Sequence, residues 1–113
     1  MSNSLHDNIE AIEAGYEFLL AYAAQGRESD KGSETRTTLE AMQSAAADIA
    51  DKLSSDEDDF SAVVVDDARK SRAAISLVLS QRDISSELVD NLNASIHLRA
   101  LLTDLFLLSE TID

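Results

Sequence analysis

Residues 5–25 read LHDNIEAIEAGYEFLLAYAAQ and carry the clearest helical pattern in the chain. Apolar residues recur there at alternating spacings of four and three, which places them on one face of a helix. That row consists of Leu5, Ile9, Ile12, Tyr16, Leu19 and Ala23. A second apolar strip lies beside it, and the two together span an arc of about 200°. Because a single neighbouring helix needs a narrower arc, we expect this helix to lie centrally or to be shared with another chain.

The same periodicity predicts three further helices. Alternating apolar rows mark residues 34–53, 56–81 and 85–110, and short polar stretches separate them. Proline is absent and glycine occurs only three times. This composition favours helices, because both residues destabilise a helix interior. The sequence therefore predicts an all-α, antiparallel four-helix bundle with helices at about 5–25, 34–53, 56–81 and 85–110.

The length and composition bound the architecture. A chain of 113 residues suits one domain, residues 1–113, with one hydrophobic core. Aromatic residues make up only 4% of the chain, so we expect the core to consist mainly of Leu, Ile, Val and Ala. Cysteine is absent, which excludes disulfides, thiolate catalysis and Cys-ligated metals.

The chain is strongly acidic, with a net charge of -13 from 22 acidic and 9 basic residues. Such a surface repels phosphate backbones and anionic lipid head groups, so we expect no direct contact with nucleic acid or membranes. A basic protein is a compatible partner. The sequence begins without a signal-peptide pattern and has no apolar run of roughly 18 residues, which predicts a cytoplasmic protein.

Two histidines are the candidates for metal or phosphoryl chemistry. His6 and Glu10 stand four residues apart, but di-iron helical bundles use Glu-x-x-His pairs, which this chain lacks. Four-helix phosphotransfer domains expose a histidine that Lys and Gly usually follow, whereas the sequence after His97 is LRAL. We therefore predict that the protein is not an enzyme and needs no metal or cofactor.

The end of the fourth predicted helix is unusually apolar. Residues 98–108 read LRALLTDLFLL and are apolar nearly all round the helix. Since a small protein rarely leaves such a surface bare, we interpret it as a self-association surface and predict a homodimer. The predicted interaction anchors are Phe18, Tyr22, Leu105 and Phe106. The alternative is that this half of the helix lies at the centre of a monomeric bundle.

Two charged residues interrupt apolar rows. Asp67 lies in line with the core side chains of the third predicted helix, and Arg99 interrupts the row of the fourth. We predict a buried Asp67–Arg99 ion pair that fixes the register of these helices.

These features predict a small acidic protein that acts through protein–protein interaction, in a regulatory or accessory role. Its acidic rim would exclude wrong partners and attract basic ones. The first alternative is a nucleic-acid mimic whose carboxylates occupy the DNA site of another protein. The second is a phosphotransfer or metal-binding helical bundle.

Overall fold

The computed structural model describes residues 4–111, which form five α-helices and no β-strand. The helices are α1 (Leu5–Ala23), α2 (Thr35–Leu53), α3 (Asp59–Leu79), α4 (Ser86–Ala94) and α5 (His97–Thr111). The prediction of an all-helical protein is confirmed. The number of helices differs from the prediction, because the region expected to form one helix at 85–110 forms two.

The break between α4 and α5 lies at Ser95 and Ile96. The Ser95 hydroxyl donates to the carbonyl oxygen of Leu92 at 2.6 Å, and the Ile96 N–H donates to that of Asn93, three residues back, so the α-helical spacing of four is lost. Ile96 then adopts a φ of 65°, the left-handed conformation that often ends helices but is costly for a β-branched residue. Its carbonyl oxygen accepts from the Ala100 N–H at 2.8 Å, so α5 begins at once in a new direction.

The helices surround one hydrophobic core. α2 packs most extensively against α3 and also against α1, whereas α5 packs against α3 and α1, and α4 mainly against α1. The largest fully buried side chains come from α1, α2, α3, α5 and the α3–α4 connection: Ile12, Leu19, Tyr22, Leu39, Met42, Ile49, Val64, Ile75, Ile84, Leu98, Leu101 and Leu105. As the composition predicted, aliphatic residues dominate this core.

A glycine allows α1 and α2 to approach closely. Gly15 is buried against the side chain of Met42, and a Cβ atom at position 15 would overlap the Met42 Cγ and Sδ atoms. One turn from the helix start, the buried Asn8 side chain donates to Asp48 Oδ2 at 2.7 Å. These two contacts hold α1 against α2 at two different points along the helices.

The acidic run at residues 56–59 starts α3. The Asp58 side chain accepts hydrogen bonds from the backbone N–H groups of Phe60 and Ser61, so Asp58 is the N-cap residue. Carboxylates also suit the positive end of the helix dipole.

The loop between α1 and α2 is bound to the connection between α3 and α4. The Tyr22 hydroxyl donates to the carbonyl oxygen of Ile84 at 2.7 Å, and the Ser86 hydroxyl donates to that of Tyr22 at 2.7 Å. Arg27 and Ser86 exchange two further bonds through backbone atoms and the Ser86 hydroxyl. The end of α1 is thereby joined to the start of α4.

Arg36 makes a second link at the same end of the molecule. Its guanidinium donates to the carbonyl oxygens of Leu79, the last residue of α3, and of Gln81, which follows that helix. It also pairs with Asp30 at 3.2 Å. Burial is the largest single effect on the pKa of the Asp30 carboxyl and would raise it, but the bond that Asp30 accepts from the Ile84 N–H, its own backbone N–H and Arg36 together lower that pKa. The polar loops are thus ordered by hydrogen bonds.

None of the helices within residues 4–111 combines the length and apolar character that crossing a membrane requires.

Candidate interaction surface

The structure separates the four predicted interaction anchors into two groups. Tyr22 and Leu105 are 1% and 0% exposed, so both belong to the core of this chain and neither is available to another protein. Phe18 is half-buried and stacks on Tyr22 with ring centroids 6.2 Å apart. Phe106 remains at the surface with 41% of its area exposed. Of the four, only Phe106 presents a large exposed area.

The outer face of α5 carries further apolar residues. Ile96 and Leu107 are 63% and 56% exposed. Ala100, Thr103 and Leu107 follow one another at spacings of three and four residues, which places them in one row along α5, and Ile96, the residue before the helix, lines the same depression as Ala100 and Thr103. We call these four residues the α5 stripe. Phe106 lies beside this stripe, seven residues after Arg99 and therefore on the same flank.

An open depression of about 380 Å³ lies on the α5 stripe. Ile96, Arg99, Ala100, Thr103 and Asp104 line it. Within the stripe, the two middle residues, Ala100 and Thr103, are smaller than Ile96 and Leu107 at its ends. The surface is therefore apolar at both ends and recessed between them, with one basic and one acidic side chain at its borders.

Asp104 meets an unexpected neighbour across the α3–α5 contact. Its carboxyl lies within hydrogen-bonding reach of the Asp67 carboxyl, and its Oδ2 atom is inaccessible to solvent and accepts no bond from any N–H or O–H group of residues 4–111. A hydrogen bond between two carboxyl groups requires a proton on one of them. Burial, the bond to Asp67 and the charge of Asp67 together raise the pKa of Asp104 to about 7.

The predicted Asp67–Arg99 pair is not among the ion pairs of the described residues. Arg99 is exposed, because it lies on the flank of α5 that points away from α3. Asp67, which is half-buried, meets Asp104 on the opposite flank. A second polar contact lies about one turn along α3, where the Ser71 hydroxyl donates to the carbonyl oxygen of His97 at 3.0 Å.

Neither histidine belongs to a group of residues within 4–111 that could hold a metal ion. His6 Nε2 lies 3.2 Å from Glu10 Oε1, and both side chains are largely exposed. His97 is half-buried at the first residue of α5. No group of three or more His, Cys, Asp or Glu residues within residues 4–111 has an arrangement that could hold a metal ion.

Charge is unevenly distributed over the helices. α1 contains no Lys or Arg, and its exposed face carries Glu10, Glu13 and Glu17. The exposed residues Arg69, Lys70 and Arg72 form a basic concentration on α3, and Lys70 pairs with Asp66 at 3.1 Å. The exposed face of α1 therefore carries no Lys or Arg, whereas the exposed face of α3 carries both positive and negative charges.

A second apolar cavity of about 190 Å³ lies between α3 and α4. Its lining includes Ala74, Leu77, Leu88 and Leu92. Leu77 is a further exposed large apolar residue of the chain.

No protein-family model matches this chain. No curated protein and no solved structure is significantly similar to it.

Proposed function

We propose that this protein acts through protein–protein interaction and that the outer face of α5 is its contact surface. The interaction that we infer first is self-association. A regulatory or accessory role is part of the same proposal. In this proposal α4 and α5 together serve as the fourth member of an antiparallel helical bundle. The proposal includes no catalytic step, metal or cofactor.

The observation that carries this proposal is the concentration of exposed apolar residues on one helix. Ile96, Phe106 and Leu107 lie within three turns of each other, next to the depression on the α5 stripe. Apolar side chains scattered singly over a surface need no explanation, but a contiguous patch marks a contact site. The interior of α5 is already covered by α1 and α3, so its outer face is the part left for a partner.

Sedimentation velocity of the full chain at increasing concentration tests this proposal. We expect Leu107→Glu to reduce association, because it places a charge within an apolar contact. Leu20→Glu on α1 and Leu77→Glu at the α3–α4 cavity are matched controls that should associate as the wild type does. Loss of association in Leu77→Glu but not in Leu107→Glu would move the contact to the α3–α4 cavity and contradict the proposal.

An acidic nucleic-acid mimic is the second candidate, and the face of α1 favours it. Glu10, Glu13 and Glu17 project from one side of a helix that lacks basic residues. A DNA-binding protein would then bind this face with steep salt dependence. Replacing the three glutamates with glutamine should abolish that binding, whereas Leu107→Glu should leave it unchanged. Equal binding by the triple variant and the wild type would exclude the mimic.

A further inference from the structure

We propose that a second copy of this chain docks on the α5 stripe with the two α5 helices parallel, so that Arg99 of each copy pairs with Asp104 of the other. This inference rests on the proposed function and names its partner and geometry. Three features of the stripe lead to it: the spacing of its apolar residues, the position of its two charges and the small residues at its centre.

The spacing of the stripe is that of a coiled-coil seam. In heptad notation Thr103 occupies a d position and Ala100 and Leu107 occupy a positions, while Ile96 lies just before the helix, four residues ahead of Ala100. The three helical positions cover about 10 Å of helix at 1.5 Å per residue. Ala100 and Thr103 are short, so two helices can approach closely over the depression while Ile96 and Leu107 pack at its ends. The seam is short, which fits a reversible dimer.

The charges beside the seam select the partner and the orientation. Arg99 falls at a g position and Asp104 at the next e position, five residues later. In a parallel pair of helices the g residue of one copy faces the e residue of the other, which brings opposite charges together twice. In an antiparallel pair each flank of one helix faces the same flank of the other. Arg99 of one copy would then lie near Arg99 of the other, and Asp104 near the second Asp104. The parallel pair is therefore favoured.

The same arrangement gives both charged residues a partner that the single chain does not provide. Arg99 forms none of the ion pairs found within residues 4–111. Asp104 borders the depression and adjoins a second carboxyl from α3, and it forms none of the ion pairs within residues 4–111. A guanidinium from the second copy would reach this pair of carboxyls from the outer side of α5. The surface is thus complementary to itself in charge as well as in shape.

Charge reversal in separate chains tests this geometry. Arg99→Asp gives a homodimer with two Asp–Asp contacts, and Asp104→Arg gives one with two Arg–Arg contacts, so the dimer dissociation constant should rise on the order of tenfold or more in each. An equimolar mixture restores both opposite-charge pairs and should dimerise. Sedimentation velocity at pH 8 and moderate salt measures the dimer fraction of each variant alone and of their mixture. Arg72→Asp, an exposed charge reversal on α3, is the matched control and should dimerise as the wild type does.

The outcomes separate this inference from the proposed function. Recovery of the dimer in the mixture, with Arg72→Asp unaffected, supports the parallel pair. If Leu107→Glu abolishes the dimer but the charge reversals do not change it, the parallel pair is wrong and the α5 surface stands. If the wild type stays monomeric, or if the mixture does, the inference is overturned. If neither Leu107→Glu nor the reversals weaken an existing dimer, both proposals fail.

A cysteine experiment tests the orientation and does not depend on the folding of Asp104→Arg. The native chain has no cysteine, so a single introduced thiol reports one contact. In a parallel pair Leu107→Cys faces its own counterpart and should form a disulfide-linked dimer under mild oxidation. In an antiparallel pair centred on the stripe, the two thiols would be about 16 Å apart, too far for a disulfide. Ala73→Cys on the exposed face of α3 is the control. Cross-linking of Leu107→Cys no faster than this control overturns the parallel arrangement.

Discussion

The carboxyl groups of Asp67 and Asp104 meet across the contact between α3 and α5. No Lys or Arg of the described residues forms an ion pair with either of them. The folded chain therefore binds a proton at Asp104 more tightly than the unfolded chain does, with a pKa of about 7 in place of 3.8. This relationship makes the stability of the single chain depend on pH near neutrality.

The first prediction concerns this pH dependence. Between about pH 4 and pH 7 the folded chain retains a proton that the unfolded chain has lost, so the contribution of Asp104 to stability falls as the pH rises through this window. The pKa values of Asp30, Asp48 and Asp58 are lowered, so the stabilisation from those residues is lost only at lower pH. The rise in the pKa of Asp104 corresponds to a free-energy difference of about 4 kcal/mol between its charged and neutral forms. Solvent screening at this half-exposed site reduces the effect on stability to roughly 1–2 kcal/mol.

Asp104→Asn checks this prediction, because the amide stays neutral at every pH. Urea unfolding at low protein concentration should show the variant more stable than the wild type at pH 8, by roughly 1–2 kcal/mol. The difference should shrink towards pH 5. Asp90→Asn, at an exposed position on α4, removes the same charge and serves as the control. An equal gain in both variants would mean that only the net charge matters.

The second prediction concerns the left-handed backbone at Ile96. Ile96→Gly should raise the stability of the single chain by about 1 kcal/mol, because glycine adopts this φ without steric strain and the lost side chain is mostly exposed. Ile96→Ala retains a Cβ atom and should give no comparable gain. The glycine variant should also associate more weakly, since it shortens the α5 stripe. Thermal unfolding at low concentration measures the first effect, and a loss of stability in Ile96→Gly would contradict it.

The third prediction concerns the close contact of α1 with α2. Gly15→Ala should destabilise the protein by about 1–3 kcal/mol, because the added methyl group overlaps the Met42 side chain. In a Met42→Ala background the same substitution should cost nothing or stabilise the helix slightly, since alanine is the better helix former. A double-mutant cycle measured by chemical unfolding gives this coupling. Additive effects of the two substitutions would show that Gly15 and Met42 do not constrain each other.

The fourth prediction concerns the hydroxyl of Tyr22. Tyr22→Phe should cost about 1–2 kcal/mol, because it leaves the buried carbonyl oxygen of Ile84 without its hydrogen bond. Tyr16→Phe is the matched control: Tyr16 is half-buried, and its hydroxyl has no hydrogen-bond partner among residues 4–111. Equal stability of the two variants would show that the bond to Ile84 contributes nothing.

The sequence was sufficient for the helices and insufficient for two features of the site. Apolar periodicity predicted α1, α2 and α3 to within a few residues, because each has one continuous buried face. The break at Ile96 was missed because no glycine or proline marks it; the nearby Asn91, Asn93 and Ser95, whose side chains can compete for backbone hydrogen bonds, are a weaker signal. They are also common in unbroken helices.

The charged residues of α5 illustrate the second gap. Arg99 and Asp104 lie on opposite flanks of one helix, which the spacing of five residues already implies. Only the packing of the whole chain decides which flank meets α3 and Asp67. Likewise, periodicity identified Leu105 and Phe106 as apolar but could not tell which of them the core would cover. Because Arg99 points outward, we infer that its partner comes from another chain.

A dilution series of two-dimensional ¹H–¹⁵N NMR spectra tests the central claim most directly, because it reports where on the wild-type chain another copy binds. As the concentration rises, the account predicts amide shift changes confined to residues 96–107 and the adjoining turn of α3 at Asp67. Changes confined to the α3–α4 cavity around Leu77 and Leu88, or spectra that do not change with concentration, would contradict it.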